Sequence, residues 1–229
     1  MSDHIEASAR ERSVTIPSAD VELEGTLDVP SGASGVVVFA HGTGSSRFSP
    51  RNRHVAQVLR EAGLATLLLD LLSPDEEEDD VITREHRFDI DLLAERVEHA
   101  IDWLAEEPET ETLAVGLFGA STGASAALVA AAERPIRVGA VVSRGGRPDL
   151  ADQSLPDVEC PTLLIVGGRD DVVIDLNERA RDHMRCAVRL EIIPGATHLF
   201  EEPGTLDQVA RLARDWFVNN LSRKRVGGT

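Results

Sequence analysis

Short apolar runs alternate with segments of helical periodicity along most of the chain. Continuous apolar runs are typical of strands that are covered on both faces of a sheet; they comprise Val36–Ala40, Ala65–Leu69, Leu113–Phe118, Val138–Ser143 and Thr162–Val166. Val188–Ile193 is also predicted to be a strand. Apolar residues at helical spacing, or alanine-rich sequence, predict helices between them; these comprise Arg53–Ala62, Ile90–Ala105, Ala124–Ala132, Asp175–Met184 and Leu206–Leu221. Strands that alternate with helices predict an α/β fold with a mostly parallel sheet.

Two other segments depart from this pattern. Ser13–Ile16 and Val21–Val29 alternate apolar and polar residues around the turn Ser18-Ala19-Asp20, which predicts an antiparallel hairpin. The acidic run Asp75–Asp80 follows Pro74 and predicts a solvent-exposed loop.

Length and composition fit a single domain. At 229 residues with 42% hydrophobic content, the chain can bury one substantial core. Since no repeat or linker interrupts the pattern, we expect one domain over residues 13–221, with flexible tails at 1–12 and 222–229. No stretch approaches the roughly 20 apolar residues of a membrane span, and the polar start shows no secretory signal. We therefore expect a cytoplasmic protein that does not bind membranes.

Charge and cysteine content argue against further classes of partner. The formal net charge of −17 repels phosphate backbones, which argues against nucleic-acid binding. Cys160 and Cys186 lack the spacing of a disulfide framework or a metal site. We expect neither a metal nor another cofactor.

The most informative motif is G-x-S-x-G at Gly119, Ser121 and Gly123. It lies between a strand-like run and a helix-like run, which is the arrangement of a nucleophile elbow. In an elbow, the serine lies on a sharp strand-to-helix turn with its hydroxyl exposed above the sheet. The sequence therefore predicts that Ser121 is a nucleophile; the alternative is that Ser121 simply caps a helix.

An acid and a histidine follow in the order that α/β-hydrolases use, which is Ser, then Asp or Glu, then His. Asp170 comes directly after a predicted strand, where a carboxylate can point into the crevice that binds ligands. Its neighbour Asp171 is the alternative. His198 follows the last predicted strand and is the base candidate, because a serine hydroxyl needs a base that a third group holds in one tautomer.

An oxyanion requires two preorganised N–H donors. One donor is expected to be the backbone N–H of Thr122, the residue after the nucleophile. The other is expected from the loop after Val36–Ala40, where Thr43 is the first choice and Gly44 the alternative. His41, in the same loop, is interpreted as a structural residue. The loop lacks the lysine of a phosphate-binding P-loop.

These motifs resemble the dienelactone hydrolase-like branch of the α/β-hydrolase fold, over about residues 20–220. Ala40–Arg53, Gly119–Ala127, Ser143–Leu150 and His198–Gly204 resemble more closely small hydrolases that occur fused to, or encoded beside, phosphoribosyltransferase domains. The resemblance implies an eight-stranded sheet with one antiparallel strand and a triad of Ser121, Asp170 and His198. Dienelactone hydrolases proper use a cysteine nucleophile; with Ser121 in that place, serine esterase chemistry is favoured.

Arginines cluster near the predicted site, after the Thr43 loop and after Val138–Ser143. Arg47 and Arg144 are the candidates for binding an anionic substrate. The equal alternative is that these arginines pair with the acidic run Asp75–Asp80 or cap carbonyl groups.

The leading hypothesis is therefore a serine hydrolase of small carboxylic esters, without a large cap domain over its site. Thioesters and lactones would use the same residues. The alternative is a non-catalytic or regulatory partner of another protein, such as a phosphoribosyltransferase.

Overall fold

Eight strands form one mixed sheet in the computed structural model, which describes residues 11–221. The sheet has the order β1-β2-β4-β3-β5-β6-β7-β8. Its strands are β1 (Arg12–Ser18), β2 (Val21–Asp28), β3 (Val36–Ala40), β4 (Ala65–Leu69), β5 (Val115–Ala120), β6 (Val138–Arg144), β7 (Thr162–Gly167) and β8 (Val188–Ile193). Strand β2 runs antiparallel to β1 and β4, whereas all other neighbours are parallel. The predicted hairpin and the mostly parallel α/β-hydrolase sheet are confirmed.

Within the described part of the chain, six α-helices accompany the sheet. They are α1 (Pro50–Glu61), α2 (Pro74–Thr83), α3 (Ile90–Glu106), α4 (Thr122–Glu133), α5 (Asp171–His183) and α6 (Thr205–Leu221), with short 3₁₀ helices at His86–Phe88, Pro148–Ala151 and Leu155–Asp157. Within residues 11–221, no helix is both long and apolar enough to cross a membrane. Residues 1–10 and 222–229 of the two predicted tails lie outside the described residues, whereas Glu11 is described and Arg12 already belongs to β1.

Apolar side chains fill both faces of the sheet. In β3, Val36 and Val38 belong to the core cluster that includes α3 and α4, whereas Val37 and Phe39 belong to the cluster that includes α1 and α6. Successive side chains of a strand point to opposite faces. A strand between two helical layers therefore needs apolar residues at every position, which explains the continuous apolar sequence of β3.

Glycine residues form a groove in the sheet, into which the end of α6 packs. A Cβ atom on Gly116 in β5 would lie 2.7 Å from the Phe217 ring, and one on Gly139 in β6 would lie 3.0 Å from Leu221. Gly35, just before β3, also approaches Leu221, at 3.0 Å. The end of α6 therefore packs directly on the backbone of the central strands.

The acidic run was wrongly predicted to be a loop, because it forms most of α2. Ser73 caps this helix through a capping box with Glu76, and Pro74 occupies its first turn. These are strong signals of a helix start, and carboxylates in the first turn are stabilised by the helix dipole. Asp80 at its end is buried and binds Arg87.

Candidate active site

Ser121 occupies the sharp turn between β5 and α4. Its backbone has φ 52° and ψ −121°, in the region that favours glycine. The turn lies at the carboxyl end of the parallel strands, where α/β sheets bind ligands. A non-glycine residue in this conformation is strained, and such strain concentrates at functional sites.

The glycines of the motif let the turn pack closely. A Cβ atom on Gly119 would lie 2.3 Å from Cα of Ala124 in α4. One on Gly123 would lie 2.3 Å from the carbonyl oxygens of both Ala40 and His41. Side chains at these positions would separate α4 from β5 and from the loop after β3.

Asp170 and His198 meet across the loops that follow β7 and β8. Nδ1 of His198 lies 2.6 Å from Oδ2 of Asp170. If Nδ1 carries the proton that is donated to the carboxylate, Nε2 is the free acceptor of the ring. Asp171, the alternative acid, is exposed at the start of α5.

Ser121 and His198 line the same pocket, which has a volume of about 200 Å³. Within residues 11–221, the Ser121 hydroxyl makes no hydrogen bond, so the structure joins His198 to Asp170 but not to Ser121. Catalytic hydrogen bonds are often long without substrate and tighten when substrate binds.

Thr43 and Thr122 contact each other at the entrance to the elbow. The backbone N–H of Thr43 donates to Oγ1 of Thr122 at 3.1 Å, and the two hydroxyl oxygens are 3.0 Å apart. As the first residue of α4, Thr122 has a backbone N–H with no acceptor inside the helix. The sequence motif did not reveal that the Thr122 side chain engages the Thr43 N–H.

His41 has a structural position, as interpreted from the sequence. Its Nδ1 lies 3.0 Å from the carbonyl oxygen of Gly42, and its Nε2 accepts the backbone N–H of Leu71 at 3.1 Å. Burial lowers the pKa of His41, which favours the neutral ring. Only a neutral imidazole can donate at one nitrogen and accept at the other.

Only one of the two arginines that the sequence proposed for substrate binding lines the pocket of Ser121. Arg47 forms an ion pair with Asp70 and another with Glu24 at 2.5 Å, and it does not line the pocket of Ser121. Its placement corrects the prediction, because Asp70, directly after β4, pairs with a guanidinium that the sequence had assigned to substrate.

Arg144 does line the pocket, together with Arg51 from the first turn of α1. Only 7% of Arg144 is exposed, and burial together with the charge of Arg51 lowers the pKa of Arg144 to about 10. The pocket also includes Asn52 and Leu199, which sequence reasoning missed.

The fold and the strained elbow define the class of protein as an α/β hydrolase. The chain belongs to the dienelactone hydrolase family, whose pattern matches residues 23–219. It is 60% identical to a dienelactone hydrolase from Anabaena variabilis of known crystal structure, with a TM-score of 0.92 and coverage of 93% of this chain and 99% of that one. Est1E from Butyrivibrio proteoclasticus shares the fold at 15% identity, with a TM-score of 0.76 and coverage of 90% and 98%.

Two Mycobacterium tuberculosis proteins, from strains CDC 1551 and H37Rv, are also similar. Each is 58% identical to this chain over 212 residues and is provisionally named a phosphoribosyl transferase. The match covers 93% of this chain but only 47% of each relative. The chain therefore spans about half the length of the curated relatives that it matches.

Proposed function

We propose that this hydrolase cleaves small carboxylic esters through an acyl-enzyme on Ser121. The observation that carries the proposal is the 2.6 Å contact between His198 and Asp170 at a pocket that also holds the strained Ser121. A nucleophile, a base and a group that orients the base are the parts that acyl transfer requires.

In the proposed reaction, Oγ of Ser121 attacks the carbonyl carbon of the ester while Nε2 of His198 takes the hydroxyl proton. Asp170 stabilises the resulting imidazolium and holds its orientation. The tetrahedral oxyanion accepts a hydrogen bond from the backbone N–H of Thr122, and one from the backbone N–H of Thr43 once that group leaves Oγ1 of Thr122. Collapse breaks the bond to the alcohol oxygen, and His198 returns the proton to the leaving alcohol.

Deacylation repeats these steps with water. His198 takes a proton from water as the oxygen attacks the acyl carbon, and collapse releases the acid and regenerates the Ser121 hydroxyl. Thioesters and lactones present the same carbonyl to Ser121. A pocket of about 200 Å³ favours small acyl groups in each case.

Labelling with a fluorophosphonate tests the nucleophile directly. The protein should be labelled, Ser121→Ala should not, and Ser46→Ala, in the loop beside the site, should be labelled like the wild type. Labelling of Ser121→Ala would contradict the assignment. A series of p-nitrophenyl esters of increasing chain length, with a thioester and a lactone, would then define the acyl preference.

A second candidate is an accessory role beside a phosphoribosyltransferase. It is favoured by the relatives that carry that name and are about twice as long as the match. If the wild type neither reacts with the fluorophosphonate nor hydrolyses any ester, this binding role replaces the hydrolase proposal.

A further inference from the structure

The backbone N–H of Thr43 already has an acceptor within the protein. It donates to Oγ1 of Thr122 at 3.1 Å, and the hydroxyl oxygens of the two residues are 3.0 Å apart. Only 4% of Thr122 is exposed, so little of its side chain is open to solvent. A donor that the proposed reaction needs for its oxyanion is therefore occupied by the side chain that follows the nucleophile.

Thr43 is also fixed through its own hydroxyl, which donates to the carbonyl oxygen of Arg87 at 3.5 Å. Arg87 is fixed in turn, because its backbone N–H and its guanidinium both donate to the buried carboxylate of Asp80 in α2. Since the Thr43 hydroxyl gives its one proton to Arg87, the Thr122 hydroxyl is the donor in the contact between the two hydroxyls. The Thr122 hydroxyl therefore accepts one hydrogen bond from Thr43 and donates another to it, and neither bond involves a charged group.

A small cavity adjoins this contact. Thr122 lines the cavity, Ser121 lines the larger pocket, and Thr43 lines both. The cavity has a volume of about 20 Å³, which is enough for about one water molecule. Threonine side chains turn between staggered rotamers, so the Thr122 hydroxyl has room to leave the Thr43 N–H while the fold stays closed.

The Thr122 hydroxyl and a substrate oxygen compete for this one donor. A neutral ester carbonyl would replace one uncharged hydrogen bond with another, which gains little. The oxyanion of the tetrahedral intermediate forms charge-assisted hydrogen bonds, which are roughly twice as strong. The developing charge therefore displaces the hydroxyl, whereas the carbonyl of the bound ester does not. An interaction that forms only in the transition state raises kcat, whereas one that forms equally in the ground state only lowers KM.

We propose that the Thr122 side chain is a positioning residue that reserves the Thr43 N–H for the transition state of ester hydrolysis. Its hydroxyl accepts the N–H before the reaction. As negative charge builds on the carbonyl oxygen, the hydroxyl turns away and the N–H donates to the oxyanion. The inference rests on the proposed function, because an oxyanion arises only if Ser121 attacks a carbonyl carbon.

Thr122→Val tests this role, because it removes the hydroxyl and keeps the shape of the side chain. With the Thr43 N–H free, the carbonyl of the bound ester can accept it before attack. We therefore expect the Kd of p-nitrophenyl butyrate to fall about 2- to 10-fold, which is the range for one uncharged hydrogen bond. The acylation rate constant should change by a smaller factor, because the ester complex and the transition state both gain the bond. Stopped-flow measurement of the p-nitrophenolate burst separates the two constants.

Three further variants complete the experiment. Thr122→Ser restores the hydroxyl and should return the Kd toward the wild-type value. Thr122→Ala carries the same expectation as Thr122→Val and covers the case in which Thr122→Val does not fold. Thr15→Val is the matched control, because Thr15 is exposed on the edge strand β1, and it should bind the ester like the wild type. An unchanged or higher Kd in both Thr122→Val and Thr122→Ala would overturn the positioning role and leave the hydrolase proposal intact.

Hydrogen exchange of the Thr43 amide, followed by NMR, tests the contact without turnover. The amide should exchange about 2- to 10-fold faster in Thr122→Val than in the wild type, and Thr122→Ser should restore the protection. Equal exchange in the wild type and Thr122→Val would refute the contact even if the protein hydrolyses esters. If no variant hydrolyses any ester, the positioning role falls together with the hydrolase proposal, and a protected amide would show that the contact exists without that role.

Discussion

Replacing Ser121 with glycine should stabilise the fold while it removes the proposed nucleophile. Ser121 is held at φ 52° and ψ −121°, where a side chain on Cα is strained by about 1–3 kcal/mol. Glycine relieves this strain, but its greater freedom in the unfolded chain costs about 0.5–1 kcal/mol. We therefore expect Ser121→Gly to be more stable than Ser121→Ala, which keeps the strain and also lacks the hydroxyl, by up to about 2.5 kcal/mol.

Urea unfolding of the two variants measures this difference in free energy. On heating, their Tm values should differ by up to about 10 °C for a protein of this size. Ala132→Gly in α4 is the matched control, because a glycine in a regular helix lowers stability by about 0.5–1 kcal/mol. Neither variant at Ser121 should hydrolyse esters. If Ser121→Gly unfolds at the same urea concentration as Ser121→Ala, or at a lower one, the elbow does not store strain and the reasoning fails.

Three other perturbations follow from the site. Asp170→Asn should lower kcat by about 10³- to 10⁴-fold by removing the charge that holds His198, whereas Asp171→Asn should keep kcat close to the wild-type value. Steady-state assays that show the same loss of kcat in both variants would contradict the choice of Asp170 as the acid. Gly123→Ala should lower the free energy of unfolding by at least about 2 kcal/mol, because its Cβ would lie 2.3 Å from backbone oxygens; unchanged urea unfolding would contradict the close packing. Burial lowers the pKa of His41, so the unfolded chain binds a proton more readily than the folded state, and the free energy of unfolding should fall as pH drops below about 6.5. In urea titrations from pH 8 to 5, His41→Phe should be less stable than the wild type at pH 8 and should lose less stability as the pH falls. An equal loss of stability with pH in both proteins would exclude His41 as the cause of the pH dependence.

The central strands could be predicted from the sequence, because a strand that is buried on both faces needs a continuous run of apolar residues. The boundaries of β3 and β4 coincide with the apolar runs Val36–Ala40 and Ala65–Leu69. Strand β8 lies at the edge of the sheet and is partly exposed, and its bounds match the predicted strand Val188–Ile193 although charged residues interrupt its apolar ones. Helix α2 was missed because its sequence lacks an apolar stripe and its acidic residues suggested solvent. Its start at Ser73 and Pro74 carried a capping signal that outweighs composition.

The site could be predicted in part, since the elbow fixes Ser121 and the order of strands brings loops together. The contact between His198 and Asp170 follows from parallel strands β7 and β8, which end side by side. The partner of Arg47 could not be read from the sequence, because Asp70 becomes its neighbour only when β3 and β4 pair. The Thr43–Thr122 contact likewise depends on two distant loops meeting.

The groove at the end of α6 has a consequence for the order of folding. Its floor combines backbone from three places, Gly35 before β3, Gly116 in β5 and Gly139 in β6, which are far apart in the chain. Phe217 and Leu221 therefore have no complete surface to dock on until those strands stand side by side. We expect the terminal helix to gain its burial late, so that the fluorescence change of Trp216 on this helix, measured with Trp103 replaced by Phe, would report completion of the sheet and not the collapse that precedes it.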